Sequence, residues 1–151
     1  MPAARALSHL KALVVVGLVA LTGTMGVMHF VLTTPFSRIV PGYLADARAL
    51  VYVSGALLIA GAVGLCWSRT RRLAAGCLMV LFVLLFPANL NEALHVIEPM
   101  PGLAPPRWLL WLRLPFQLVL IGCAYWIAKR PAEPSAPDEA AEYATRRDRE
   151  R

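Results

Sequence analysis

Charge is scarce in this chain. Asp, Glu, Lys and Arg make up 16% of its 151 residues, where a soluble globular domain carries about 25%. That scarcity, with 58% apolar residues and a mean hydropathy of +0.60, argues against an ordinary soluble domain. Cysteine is also sparse. Cys66, Cys77 and Cys123 show no C-x-x-C spacing and no metal-ligand pattern, which leaves them as small apolar packing residues. No repeat of solenoid type is present. From Pro131 to Arg151 there is no isoleucine, leucine or valine, only three prolines among mixed charges. Such a segment lacks apolar surface to bury, so 131–151 is expected to be a disordered charged tail.

The apolar residues fall in blocks. Four stretches, 10–32, 48–67, 73–91 and 108–128, each approach the roughly 20 apolar residues that a helix needs to cross a hydrocarbon core. The expected fold is an all-α membrane protein, a four-transmembrane-helix bundle over residues 1–130 that contacts the lipid bilayer. The first stretch begins after Arg5 and Lys11 as a signal peptide would. Its apolar run continues to Leu32, well past the roughly 7–15 residues of a signal core, so an uncleaved span is expected.

The net charge of +6 does not imply a nucleic-acid partner, because the basic residues sit at the ends of the spans, where they set orientation. Arg5, Lys11, Arg69, Arg71, Arg72, Lys129 and Arg130 lie on one side, against Arg38, Arg48 and Arg107 on the other. This seven-to-three bias puts both termini and the short 68–72 turn in the cytoplasm, and the proline-containing loops 33–47 and 92–107 outside.

In that orientation the polar residues of the spans gather at the outer leaflet. His29 lies near the outer end of the first span, and Tyr52 and Ser54 near the start of the second. Asn89, Asn91 and Glu92 close the third, and Arg113 and Gln117 open the fourth, on one face by their i, i+4 spacing. The inner halves hold little beyond Thr, Cys and Gly. Arg113 lies six residues past Arg107, roughly 9 Å deeper along the axis. Two placements are open to it: snorkelling to the headgroups beside Trp108 and Trp111, or turning inward to pair with Glu92 or the asparagines. Asn89 either satisfies the backbone carbonyl that Pro87 leaves without a donor or links two helices. Pro115 is expected to kink the fourth span beside Arg113. Glycines 17, 23, 26, 55, 61 and 64 are expected to admit close helix contact.

Glu92 and His95 form a single E-x-x-H, whereas bundle di-iron sites use two copies with further glutamates. Metal is therefore not expected there, nor haem between His29 and His95. A quinone is the better match: Arg113, Gln117, Asn89 and Tyr52 would donate to its carbonyls while the apolar bundle takes its tail. No residue pattern marks a catalytic centre. The competing expectation is a scaffold or assembly factor in which the same polar groups only join helices.

The series HF (29–30), PF (35–36), IVP (39–41), VYVSG (51–55), SRTRR (68–72), FPANLN (86–91) and WLRLPFQ (111–117) resembles the DoxX-like family of small four-helix bacterial membrane proteins. The resemblance covers about residues 25–127. It implies a compact bundle in the bacterial cytoplasmic (inner) membrane and a place as an accessory subunit beside respiratory or redox complexes. Relatives include a subunit of a quinol oxidase and partners of thiol or superoxide chemistry. Members of that family often carry a glutamate shortly after the Ser-Gly of the second span, and Leu58 stands at that position here. Whatever that acid does elsewhere would be missing. On these grounds FPANLNEALH (86–95) is expected to divide, with Pro87–Asn91 in a polar pocket and Glu92–His95 leaving the membrane.

Overall fold

The computed structural model describes residues 2–44, 46–95, 97 and 106–129. The tail 131–151, Arg130, Ala45 and the prolines 99, 101 and 105 lie outside the described residues. Among the described residues five helices follow in order: α1 Pro2–Val31, α2 Thr33–Ile39, α3 Ala47–Cys66, α4 Arg71–His95 and α5 Arg107–Ala128. Four of them are long and apolar enough to cross a membrane, namely α1 from His9, α3, α4 and α5. This is a multi-pass helical membrane protein.

Local chemistry explains where the helices begin and end. Asp46 caps α3, its carboxylate accepting from the amides of Arg48 at 3.1 Å and Ala49 at 3.3 Å. At the far end of α3 the orphan carbonyls are met by the short turn to α4. Arg71 Nε donates to the Leu65 carbonyl at 2.9 Å, and the Thr70 hydroxyl to that of Gly64 at 2.8 Å. Arg71 therefore caps the preceding helix and closes the hairpin.

Two segments differ from expectation. The 33–47 connection is not all loop, because Thr33–Ile39 forms α2. Pro35 falls in its first turn, where a missing N–H costs nothing, and the Thr33 hydroxyl donates to the His29 and Phe30 carbonyls at 2.9 and 3.1 Å. The third span does not end at Asn91 but continues as helix to His95, straight through Pro87. One lost backbone bond does not end a helix whose next turn is held from outside. Asn91 Nδ2 donates to the Ile39 carbonyl of α2 at 3.0 Å, and Glu92 is bound by Arg113. Glu92 thus belongs to the packed bundle, on the same continuous helix as Asn89 and Asn91.

The long helices close a ring in which α1 packs on α3, α3 on α4 and α4 on α5, with α1 touching α5 most lightly. Leu18, Leu58, Leu65, Ala75, Leu78 and Ala124 are among the residues at its centre. At the α3–α4 turn the ring is tight, with a Cβ on Gly64 falling 2.7 Å from that of Ala74. Toward the other end α1 and α3 cross with backbones in contact. A Cβ on Gly26 would sit 2.9 Å from the Gly55 carbonyl oxygen and 3.0 Å from the Ile59 amide nitrogen. Gly17 has nothing within 4 Å and does not share in this contact. The perimeter is apolar, with Leu13, Val16, Leu73 and Leu84 all strongly exposed. Such a surface would associate in water, whereas lipid tails cover it without penalty.

Candidate polar cavity

At the end of the bundle remote from the α3–α4 turn, the ring opens into a cavity of about 330 Å³ bounded by all five helices. Helical spacing selects its walls. Thr22, Met25 and His29 share one face of α1. Val51, Ser54 and Leu58 share one face of α3, and Arg113, Phe116, Gln117 and Leu120 one face of α5. The α2 segment closes the end, with Phe36 stacked on His29 at a centroid distance of 4.3 Å and 11° between planes.

Of the eight residues expected at a ligand site, five line this cavity: His29, Ser54, Asn89, Arg113 and Gln117. The other three do not. Tyr52 is 46% exposed and lies against Phe30, because one residue beyond Val51 a helix has turned about 100° away from the inward face. Asn91 is spent on the Ile39 carbonyl, tying α4 to α2. Glu92 is only 3% exposed and stands behind the wall as the partner of Arg113.

The Arg113 side chain takes the inward placement. Its Nη1 donates to Glu92 Oε2 at 2.5 Å, joining α5 to α4, while 37% of the side chain remains exposed. The remaining guanidinium N–H groups are thus available at the cavity. A charge turned inward without a partner would cost several kcal/mol, and pairing with Glu92 offsets part of that cost.

A second link between the same helices runs through amides. Gln117 Nε2 donates to the Phe82 carbonyl at 2.6 Å, and Asn89 Nδ2 donates to Gln117 Oε1 at 2.8 Å. Asn89 therefore links helices rather than repairing the backbone at Pro87. One of the two N–H donors that Asn89 and Gln117 each carry is already engaged in this relay.

The E-x-x-H pair diverges. Glu92 faces Arg113, while His95 is exposed with its Nδ1 donating to the Asn91 carbonyl at 3.1 Å. Among the described residues no three His, Cys, Asp or Glu side chains are grouped to hold a metal ion.

Sequence reasoning missed Thr22, Phe36 and Ile39. Thr22 was legible in retrospect, since it stands seven residues before His29 on the same face. The two residues of α2 were hidden by reading 33–47 as loop. The cavity also reaches the perimeter, since Leu50, Val53 and Leu57 of α3 and Leu84 of α4 line it while remaining largely exposed. These residues lie within the membrane-crossing stretches, so the mouth opens sideways toward lipid.

A family model described as a domain of unknown function, DUF8561, matches residues 18–128, a stretch that contains every residue lining the cavity. No curated protein and no solved structure matches the chain.

Proposed function

This chain belongs to the DUF8561 family, and from its cavity we propose that it holds an amphipathic, quinone-like ligand as a non-catalytic membrane subunit. One observation carries this reading. A largely apolar chamber, open sideways to lipid, gathers six polar side chains from α1, α3, α4 and α5. Its volume lies at the lower end of ligand pockets, roughly 300–1,000 Å³, enough for a ring whose tail leaves through the lateral mouth. Arg113 has N–H groups to offer a head, and the Leu57 and Leu84 side chains flank the tail's exit.

The same proposal places the protein in the bacterial cytoplasmic membrane with both termini cytoplasmic, supported by the seven-to-three distribution of basic residues. The cavity then opens in the outer leaflet. The resemblance to DoxX-like proteins extends the proposal to a redox complex as the protein partner. The test is extraction. Protein purified from native membrane in mild detergent should release a lipid-soluble quinone, and Arg113→Leu should lose it. Protein that carries none and also fails to bind added quinone would remove this reading.

A scaffold without a small ligand is favoured by one specific observation. The Asn89–Gln117–Phe82 relay and the Asn91–Ile39 bond already join helices without any guest. Such bonds contribute about 0.6 kcal/mol each in membranes. If Asn89→Leu and Arg113→Leu lower bundle stability in step with partner recovery and alter no bound ligand, the scaffold stands.

A further inference from the structure

The polar groups of the cavity have committed their hydrogens in a particular direction. The Thr22 hydroxyl donates to the Leu18 carbonyl at 2.7 Å and the Ser54 hydroxyl to that of Val51 at 3.0 Å. His29 Nδ1 lies 2.7 Å from the Met25 carbonyl. A backbone carbonyl only accepts, so Nδ1 must carry the hydrogen, and in the neutral ring Nε2 carries the lone pair. The same logic fixes the amides. The Phe82 carbonyl compels Gln117 to present Nε2, Gln117 then presents Oε1 to Asn89, and Asn89 must answer with Nδ2, leaving its Oδ1 unpaired. What remains for a guest includes two acceptors without a partner, His29 Nε2 and Asn89 Oδ1, beside the Arg113 N–H groups and the second N–H of each amide as donors. The two unpartnered acceptors, His29 Nε2 and Asn89 Oδ1, are not sealed in the interior, because no fully buried side-chain nitrogen or oxygen among the described residues lacks a partner.

Charge narrows the class further. Glu92 already balances Arg113, so an anionic head would meet no uncompensated positive charge and would lose its hydration on entry.

We infer that the cavity selects an uncharged amphiphile whose head is a hydrogen-bond donor, a phenol- or hydroquinone-type hydroxyl, over the corresponding carbonyl or an anion. This inference rests on the ligand-binding reading above. A hydroxyl satisfies both kinds of group at once, donating to His29 Nε2 and accepting from Arg113. A carbonyl can only accept, so it leaves the imidazole acceptor desolvated and unpaired.

The test uses the full chain in detergent or nanodiscs under anaerobic conditions, with three probes sharing one ring and one decyl tail: a hydroquinone, its benzoquinone and its dimethyl ether. The hydroquinone is expected to bind at least about tenfold more tightly than either of the others, the effect of one buried acceptor left unpaired. Decanoate, the anionic comparator, should not displace it. His29→Phe keeps a ring against Phe36 but removes Nε2, and should bring the hydroquinone and ether affinities together. Equal binding of the three probes by the unaltered protein, or tighter binding of the benzoquinone or of decanoate, overturns the inference while leaving a ligand cavity. Failure of every probe to bind removes the ligand reading itself, and the inference with it.

Discussion

Glu92 and Arg113 set the energetic stakes at the scale of single residues. Removing one member of a buried ion pair leaves the other charge stranded, whereas removing both leaves an apolar site. Glu92→Leu should therefore lower stability by about 2 kcal/mol, below the full 3–5 kcal/mol of a sealed pair because Arg113 keeps some exposure. Glu92→Leu combined with Arg113→Leu should recover most of that loss in a denaturant titration in micelles. Equal loss in the single and double variants would show that the pair contributes shape and not charge compensation. Gln117 is the other sensitive residue, since it both donates and accepts between α4 and α5. Gln117→Leu should release the Asn89 amide toward the cavity and weaken the selection against carbonyl heads. The same quinone and hydroquinone probes would read that change as a smaller affinity ratio.

Individual elements carry two predictions of their own. The α3 cap is a single carboxylate on two amides, so Asp46→Ala should cost about 1 kcal/mol, while Asp46→Ser should retain most of the stability. The α1–α3 crossing is stricter. A Cβ on Gly55 would fall 2.7 Å from the His29 Cβ, so Gly55→Val must push the helices apart or tilt His29. Overpacking of this kind costs roughly 1–3 kcal/mol, and here it should also enlarge or distort the cavity wall. Gly17→Ala provides the contrast. With nothing within 4 Å, it should gain up to about 1 kcal/mol from helix propensity. Thermal unfolding of the two variants side by side separates close approach from mere glycine content.

At the scale of the whole molecule, orientation and ligand occupancy are the testable properties. Cysteine labels at Ala45 or Leu103 should react with impermeant reagent from outside, and a reporter fused after Arg151 should be active in the cytoplasm. External reaction at Thr70→Cys, in the α3–α4 turn, would invert the assignment. The ring of helices is least closed where α1 meets α5, and the cavity is lined by all five helices. A bound guest should therefore stabilise the whole bundle. A hundredfold excess over its Kd should add about 2.7 kcal/mol to unfolding, seen as a raised Tm.

The sequence by itself determined the number of spans, their approximate bounds and the clustering of polar residues toward one end. Each follows from composition and position along the chain: about 20 apolar residues make a span, and depth follows from counting. It also placed Asn89, Gln117 and Arg113 at a common depth. Only the tertiary structure decided which of these groups meet. Whether Arg113 turned inward depended on Glu92 lying one helix away at the same height, and that is a property of the α4–α5 contact rather than of either segment. Tyr52 and Ser54 looked equivalent by depth, yet two positions along a helix rotate a side chain by about 200°, and the packing of α3 chose Ser54. The α2 helix was concealed because Pro35 signals a turn until its place in a first helical turn is known. The direction of each hydrogen bond around the cavity was likewise set by which backbone carbonyls stood opposite, a matter of three-dimensional neighbours that no count along the chain contains.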